Sequence, residues 1–317
     1  MRLILTSLVA LSTVIGLQAQ AVKVDGKLPQ YKKVAGVTGN LNSIGSDSLN
    51  NLMSFWVEAF RKEYPNVKIQ VEGKGSGTAP PALIEGTAQL GPMSREMKSE
   101  ETDQFEKKYG YKPTRIAVAI DTLAVFVHKD NPVKEFSLIQ LDGMFSKTLR
   151  GGGSDIKTWG QLGVSGELEK RPISLYGRNS ASGTYGYFKE NALFKGDYKD
   201  TVKEQPGSSS VVQSVSSEKE AVGYSGIGYL TSGVKAVSLS GKTGGKAYAP
   251  TYENALNGNY PLARYLYIYI NRPKAGLEPI IREFIKFVLS KEGQEIVVKD
   301  GYLPLTAAMS GDEQKKL

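Results

Sequence analysis

The 317-residue chain contains no cysteine and a single histidine, His128. Without cysteine there is no disulfide framework, thiolate nucleophile, iron–sulfur cluster or thiolate zinc site. One imidazole excludes every centre that needs two, including the H-E-x-x-H zinc motif. A Ser–His–Asp triad could be built only on His128, which closes the apolar run Val125-Phe126-Val127-His128. A structural or exposed imidazole is the commoner outcome there than a general base. The nucleophile-elbow pattern fails as well: Gly73 to Gly77 carries glycine where the serine should stand. Gly241-Lys242-Thr243 lacks the upstream glycine frame of a phosphate loop. No set of residues reads as catalytic machinery, so no enzyme activity and no cofactor are expected. Beyond the first 21 residues, no apolar run reaches the roughly 20 residues a membrane span needs.

What is present is a moderately basic chain of ordinary composition. Forty Lys and Arg against 32 Asp and Glu give +8, and apolar residues make up 40%. This balance suits an anionic ligand, but no basic tail or dense patch of the kind nucleic-acid binders concentrate is evident. The length suggests about two domains, each large enough for its own core. At the start, Arg2 precedes a mostly apolar stretch, Leu3 to Leu17, and Ala19-Gln20-Ala21 is an A-x-A cleavage site. This is the pattern of a secretory signal. It predicts residues 1–21 as a signal peptide and a mature chain beginning at Val22. Arg2 is the only charge removed, which takes the net charge from +8 to +7. With no cysteine after the signal, an acyl-cysteine lipoprotein is excluded.

Strand and helix patterns then alternate to the C-terminus, which defines an α/β class. Leu49, Leu52, Met53, Trp56 and Phe60 fall on one helical face that ends at Tyr64-Pro65. Val67 to Glu72 alternates as a strand, and Ser99 to Tyr109 is a charged helix. Arg115 to Lys129 is strand-like, long enough to carry the chain from one domain to the next. Phe136 to Met144 is a helix candidate, Ile173 to Tyr176 a strand, and Val211 to Ser217 a helix preceded by Gly207 to Ser210. Ala221 to Tyr224 and Tyr265 to Ile270 are strands. Leu277 to Leu289 is an amphipathic helix, followed by a second over Glu292 to Lys299. Ser238 to Lys246 reads as a solvated Gly/Lys-rich loop.

Three polar turns share one design. Gly45-Ser46-Asp47-Ser48, Gly75-Ser76-Gly77-Thr78 and Ser182-Gly183-Thr184 each follow a strand and open a helix; Ser208-Ser209-Ser210 is a weaker fourth case. Helix N-termini leave N–H groups without partners and favour negative charge. Glycine lets backbone approach closely, and hydroxyls add donors. Ordinary N-capping explains any one of these turns, at about 1 kcal/mol each. Several in one chain point further, because strand ends in an open α/β sheet converge on one crevice. Arg178, four residues before Ser182, supplies a guanidinium able to grip a tetrahedral oxyanion in two places. A surface salt bridge is the competing role for it.

On these residues the chain resembles the PstS family, the periplasmic phosphate-binding proteins of phosphate ABC transporters. The resemblance covers most of the chain after the signal. Ile44-Gly45-Ser46-Asp47-Ser48-Leu49 is similar to the family's first phosphate loop. Gly75-Ser76-Gly77-Thr78, with Leu90-Gly91-Pro92-Met93-Ser94-Arg95 after it, is similar to the second. Arg178 with Ser182-Gly183-Thr184 resembles its Arg…Ser-Gly-Thr clamp, and Gly223 to Tyr229, Tyr260-Pro261-Leu262 and Gly301 to Leu305 resemble later segments. Each motif alone is weak; all of them in order are specific. The resemblance implies a type II periplasmic-binding fold. Lobe 1 would be residues 22–119 plus 252–317, and lobe 2 residues 120–251, joined by two crossovers around a ligand cleft. It also implies a monomer in the periplasm, with inorganic phosphate and an inner-membrane ABC transporter permease as its partners. The phosphate contacts it implies are Ser46, Asp47, Ser48, Ser76, Gly77, Ser94, Arg178, Ser182, Gly183 and Thr184.

The chain departs from the family at two acidic positions. Well-known members carry an Asp where Ser94 stands, which accepts the proton of hydrogen phosphate and so rejects sulfate. A further family Asp is Ser180 here, and Asp47 replaces a hydroxyl or small residue. Asp47 either supplies the acceptor from a new direction or caps its own helix. The sequence thus leaves open a binder of sulfate or molybdate, an exported sensory or adhesion protein reusing the fold, and a secreted phosphatase or esterase. The last would need a metal or an activated nucleophile, and neither is evident.

Overall fold

The computed structural model describes residues 22–317. The expected signal segment and its cleavage site after Ala21 lie outside the described residues. From the N-terminus, β1 (Gly39–Ile44) passes through a 3-10 turn, Asp47–Leu49, into α1 (Asn50–Glu63). α1 ends at Tyr64 because Pro65 disfavours helical backbone in the residue before it. β2 (Val67–Glu72) repeats the design, with a 3-10 turn at Ser76–Thr78 opening α2 (Ala79–Glu85). Next come β3 (Leu90–Met93), α3 (Ser99–Tyr109) and the long β4 (Thr114–Thr122). Only Leu123 separates β4 from β5 (Ala124–His128), which belongs to a different sheet.

The chain continues as β6 (Glu135–Ser137), α4 (Leu138–Phe145), β7 (Ser174–Arg178), α5 (Gly183–Asn191), β8 (Lys203–Gln205), α6 (Ser208–Ser217) and β9 (Ala221–Ser225). β10 (Val234–Ala236), β11 (Ser238–Ser240) and α7 (Tyr252–Leu256) follow. β12 (Ala263–Ile270), α8 (Pro279–Val288), α9 (Lys291–Lys299) and α10 (Ala307–Gln314) complete the chain.

Two five-stranded sheets organise these elements, one in the order β2-β1-β3-β12-β4 and the other β10-β5-β9-β7-β8. In the first, β1 pairs in parallel with β2 and β3, and β12 runs antiparallel to both β3 and β4. In the second, β7 pairs in parallel with β8 and β9, and β5 runs antiparallel to β9. The chain thus passes from the first sheet to the second at β4–β5 and returns at β12. Because the helix-forming strands of each sheet are parallel, their C-terminal ends, and the loops that start the helices, gather along one edge.

The amphipathic faces read from the sequence are the ones buried. Leu52, Met53, Trp56 and Phe60 of α1 pack with Ile280, Ile281, Phe284 and Phe287 of α8 in the largest apolar cluster. Trp56 Nε1 donates to the Gly293 carbonyl at 2.8 Å, so the ring is buried with its one polar atom paired. A second cluster underlies the other sheet, where Phe188 and Tyr224 stack at 3.9 Å between ring centres. Among the described residues no helix is long and apolar enough to cross a membrane.

Two expected elements differ. Phe136 belongs to β6 rather than to the helix, which begins at Leu138. Ser238–Ser240, expected as solvated loop, is β11, and its Leu239 is fully buried. The two corrections are one event, since Leu239 pairs in register with Phe136 in a two-stranded sheet. Strands of three residues carry no readable period, and only their pairing defines them. α6 also begins at Ser208, earlier than the apolar pattern that starts at Val211.

Candidate anion-binding site

The loops that start helices on the two sheets face each other and touch. Residues 45–49, 75–78 and 93–95 come from the ends of β1, β2 and β3. Residues 178–184 and 206–208 come from the ends of β7 and β8. Across this junction Ser48 Oγ lies 2.8 Å from Thr184 Oγ1, and the Gly77 N–H donates to the Ala181 carbonyl at 3.0 Å. Gly183 is required by proximity. A Cβ built there would lie 2.3 Å from Ser76 Oγ, 2.6 Å from Ser94 Oγ and 2.9 Å from Ser76 Cβ. Gly75 is required by conformation, with φ of 123° and a notional Cβ 2.5 Å from the Ala181 carbonyl oxygen.

Arg178 ends β7 and is 1% exposed. Its Nη1 donates to Ser208 Oγ at 2.7 Å and pairs with Asp47 Oδ2 at 3.2 Å; its Nη2 donates to the Pro206 carbonyl at 3.4 Å. Its Nε is buried without a partner. One face of the fork, Nε and a hydrogen of Nη2, is therefore uncommitted, which is the geometry that binds a carboxylate or phosphate in two places. Burial pulls the guanidinium below its ordinary pKa, and the nearby carboxylate of Asp47 opposes that shift.

Asp47 does not cap its own helix. Its Oδ2 accepts the Ser208 N–H at 2.8 Å, at the start of α6 on the opposite sheet, beside the Arg178 guanidinium. Its main-chain carbonyl accepts from the Tyr229 hydroxyl at 2.9 Å, and that of Ser48 accepts from the Tyr302 hydroxyl at 2.7 Å. These two bonds fix the first loop from behind.

The structure brings all ten candidate residues together, in different states. Ser76 Oγ accepts the Ser94 N–H at 3.0 Å and lies 3.3 Å from Ser94 Oγ. Ser182 Oγ accepts from the N–H groups of Thr184 and Tyr185, so the capping role is real, yet its own hydrogen remains a donor. Ser46 is buried and its N–H is held by the Pro92 carbonyl at 2.8 Å. The Gly77 amide is spent on Ala181, so Gly77 contributes closeness and no free donor. Ser180, where the family carries a further acid, is exposed.

Sequence reasoning missed Arg264 and Asp121, a buried ion pair beside these loops. Arg264 Nε and Nη2 donate to Asp121 Oδ2 at 2.9 and 2.8 Å. The signal was available: Arg264 is the only charge in residues 260–270 and Asp121 the only one in 116–127. A lone charge within an apolar strand is buried and must be paired. The formal charges of Arg178, Asp47, Arg264 and Asp121 cancel. An anion here would be held by oriented N–H and O–H donors and the N-termini of α1, α5 and α6. Among the described residues no cluster of three or more His, Asp or Glu could hold a metal ion.

The fold and the anion-shaped site together define a two-lobed binding protein, and residues 32–292 match the model of the PBP superfamily domain. The chain is 55% identical over 305 residues to the phosphate-binding protein PstS of Pseudomonas aeruginosa, covering 96% of this chain and 94% of that one. It is 31% identical to the phosphate-binding protein PstS of Staphylococcus haemolyticus, covering 88% and 85%. A Clostridium perfringens protein, assigned as a phosphate ABC transporter substrate-binding protein and solved with bound phosphate, superposes with a TM-score of 0.73 at 28% identity. The match covers 84% of this chain and all of that one. The chain belongs to the PstS family, and its architecture is the type II periplasmic-binding fold.

Proposed function

We propose that this chain is the non-enzymatic receptor that captures inorganic phosphate between two lobes and delivers it to an ABC transporter. The observation that carries the reading is Arg178: buried, held by Ser208 and Asp47, and with Nε free to bind an oxyanion. Further donors come from the Ser182 hydroxyl and from the linked pairs Ser48–Thr184 and Ser76–Ser94, each of which keeps one hydroxyl hydrogen for the anion. The lobes, residues 22–119 with 252–317 and residues 120–251, move about the crossovers, and the contacts between their loops belong to the closed form. Closure buries the anion and creates the surface an inner-membrane permease reads. The protein works as a monomer in the periplasm after cleavage behind Ala21.

Asp47 supplies the proton acceptor. Its Oδ2 is engaged by Ser208 and Arg178, whereas Oδ1 has no hydrogen bond among the described residues. Hydrogen phosphate offers a proton to that oxygen; sulfate offers only lone pairs, which a carboxylate repels. Calorimetric titration of the mature protein, freed of ligand by partial unfolding and dialysis, tests both points. Phosphate binds and sulfate does not from pH 5 to 9. Asp47→Asn lowers the preference by about 100-fold, because a half-buried carboxylate facing an unprotonated oxyanion is the main discriminator. Equal binding of both anions by the unaltered protein would remove Asp47 from this role, and binding of neither would remove the receptor reading.

A further inference from the structure

Arg264 and Asp121 lie opposite each other in the ladder between β12 and β4, where the chain crosses between the sheets. Arg264 is 6% exposed and Asp121 fully buried. Beyond their mutual bonds, each reaches outward. Arg264 Nη1 donates to the Ser94 carbonyl at 2.8 Å, on the first sheet, and Nη2 donates to Thr184 Oγ1 at 2.9 Å, at the start of α5 on the second. Asp121 Oδ1 accepts the Ile227 N–H at 2.9 Å, in the loop after β9. The guanidinium also lies 5.2 Å from the centre of the Tyr187 ring, and the Tyr187 hydroxyl is anchored on the Ala263 carbonyl at 2.7 Å.

Four of the five guanidinium hydrogens of Arg264 are thus committed within the protein, so it is not built as a direct anion ligand. Its effect passes through Thr184. Arginine can only donate, so Thr184 Oγ1 must accept from it. Thr184 and Ser48 carry two hydroxyl hydrogens and share one link at 2.8 Å. That link consumes one hydrogen, and the other is left to point away from the pair. We propose that Arg264, held by Asp121, is a positioning residue. It polarises the Thr184–Ser48 pair into a net donor toward the bound anion and ties that donor to the closed arrangement of the loops. This rests on the phosphate reading above. Without Arg264, the hydroxyl pair keeps its link but loses its fixed polarity, and the closed form loses a charged bond between elements of the two sheets.

The test is the release rate of phosphate, followed by chasing labelled phosphate from the full mature protein, together with equilibrium titration. Arg264→Lys keeps the charge beside Asp121 but cannot reach Ser94 and Thr184 together; release should be about tenfold faster with an almost unchanged capture rate. Thr184→Val should also accelerate release, and adding Arg264→Lys to it should change the rate by less than about threefold, since both act through one hydroxyl. A merely structural role would make the two effects multiply. The paired replacement Arg264→Met with Asp121→Leu leaves no unpaired buried charge and guards against failure to fold. It should retain the native circular dichroism and still release phosphate faster. Release from Arg264→Lys within twofold of the unaltered protein, or effects that multiply fully with Thr184→Val, would overturn the proposal. Failure of the unaltered protein to bind phosphate would instead overturn the reading beneath it.

Discussion

Gly183→Ala adds one methyl group at the place where the two sets of loops come closest. The new Cβ would sit 2.3 Å from Ser76 Oγ and 2.9 Å from Ser76 Cβ. Turning the serine hydroxyl away does not solve the second contact. Ordinary carbon contacts need about 3.5 Å, so the loops must part by about 0.6 Å at this point. Three bonds at this junction then stretch to the limit of hydrogen bonding: Ser48 with Thr184, the Gly77 N–H with the Ala181 carbonyl, and Arg264 of β12 with Thr184. At about 1 kcal/mol each they amount to about 3 kcal/mol of the closed form. Phosphate affinity should therefore fall by about 100-fold in calorimetric titration. Helix α5 is not weakened, because alanine favours helix over glycine, so the thermal midpoint without ligand should be unchanged or higher. Affinity within threefold of the unaltered protein would refute the claim that these loops must meet around the ligand.

Arg178→Lys keeps a charge but loses the fork, and phosphate affinity should drop by at least about 100-fold in the same titration. Tyr302→Phe removes the buried bond to the Ser48 carbonyl and should lower stability to urea by about 1 kcal/mol. Desolvation alone pushes the Asp300 carboxyl up to about 7, and no cation or donor pairs with it among the described residues. Its folded value lies above its unfolded one, so its own contribution is most favourable at acid pH and is lost as pH rises from about 4 to about 7. Allowing for partial solvent screening, Asp300→Asn should gain about 2 kcal/mol at pH 8 and nothing near pH 3, read from urea midpoints at the two values.

The class, the run of long elements and the polar turns can all be read from residue order alone. Trp56 and Phe60 in α1, or Phe284 and Phe287 in α8, are legible because a helix repeats its buried face every turn whatever lies against it. The Gly/Ser/Thr turns are legible because strand-to-helix corners demand those residue types locally. β6 and β11 were not legible, since each is defined only by the other. The role of Asp47 was not legible either. Its chemistry was visible, but 161 residues separate it from the Ser208 amide it caps. The Arg264–Asp121 pair, 143 residues apart, is the same case. Each charge alone marked a buried position, and only the register of β12 on β4 set them face to face beside Thr184. Local patterns follow from short-range sterics and periodicity. Which donors converge on one anion depends on contacts between distant segments, and those exist only once both sheets have formed.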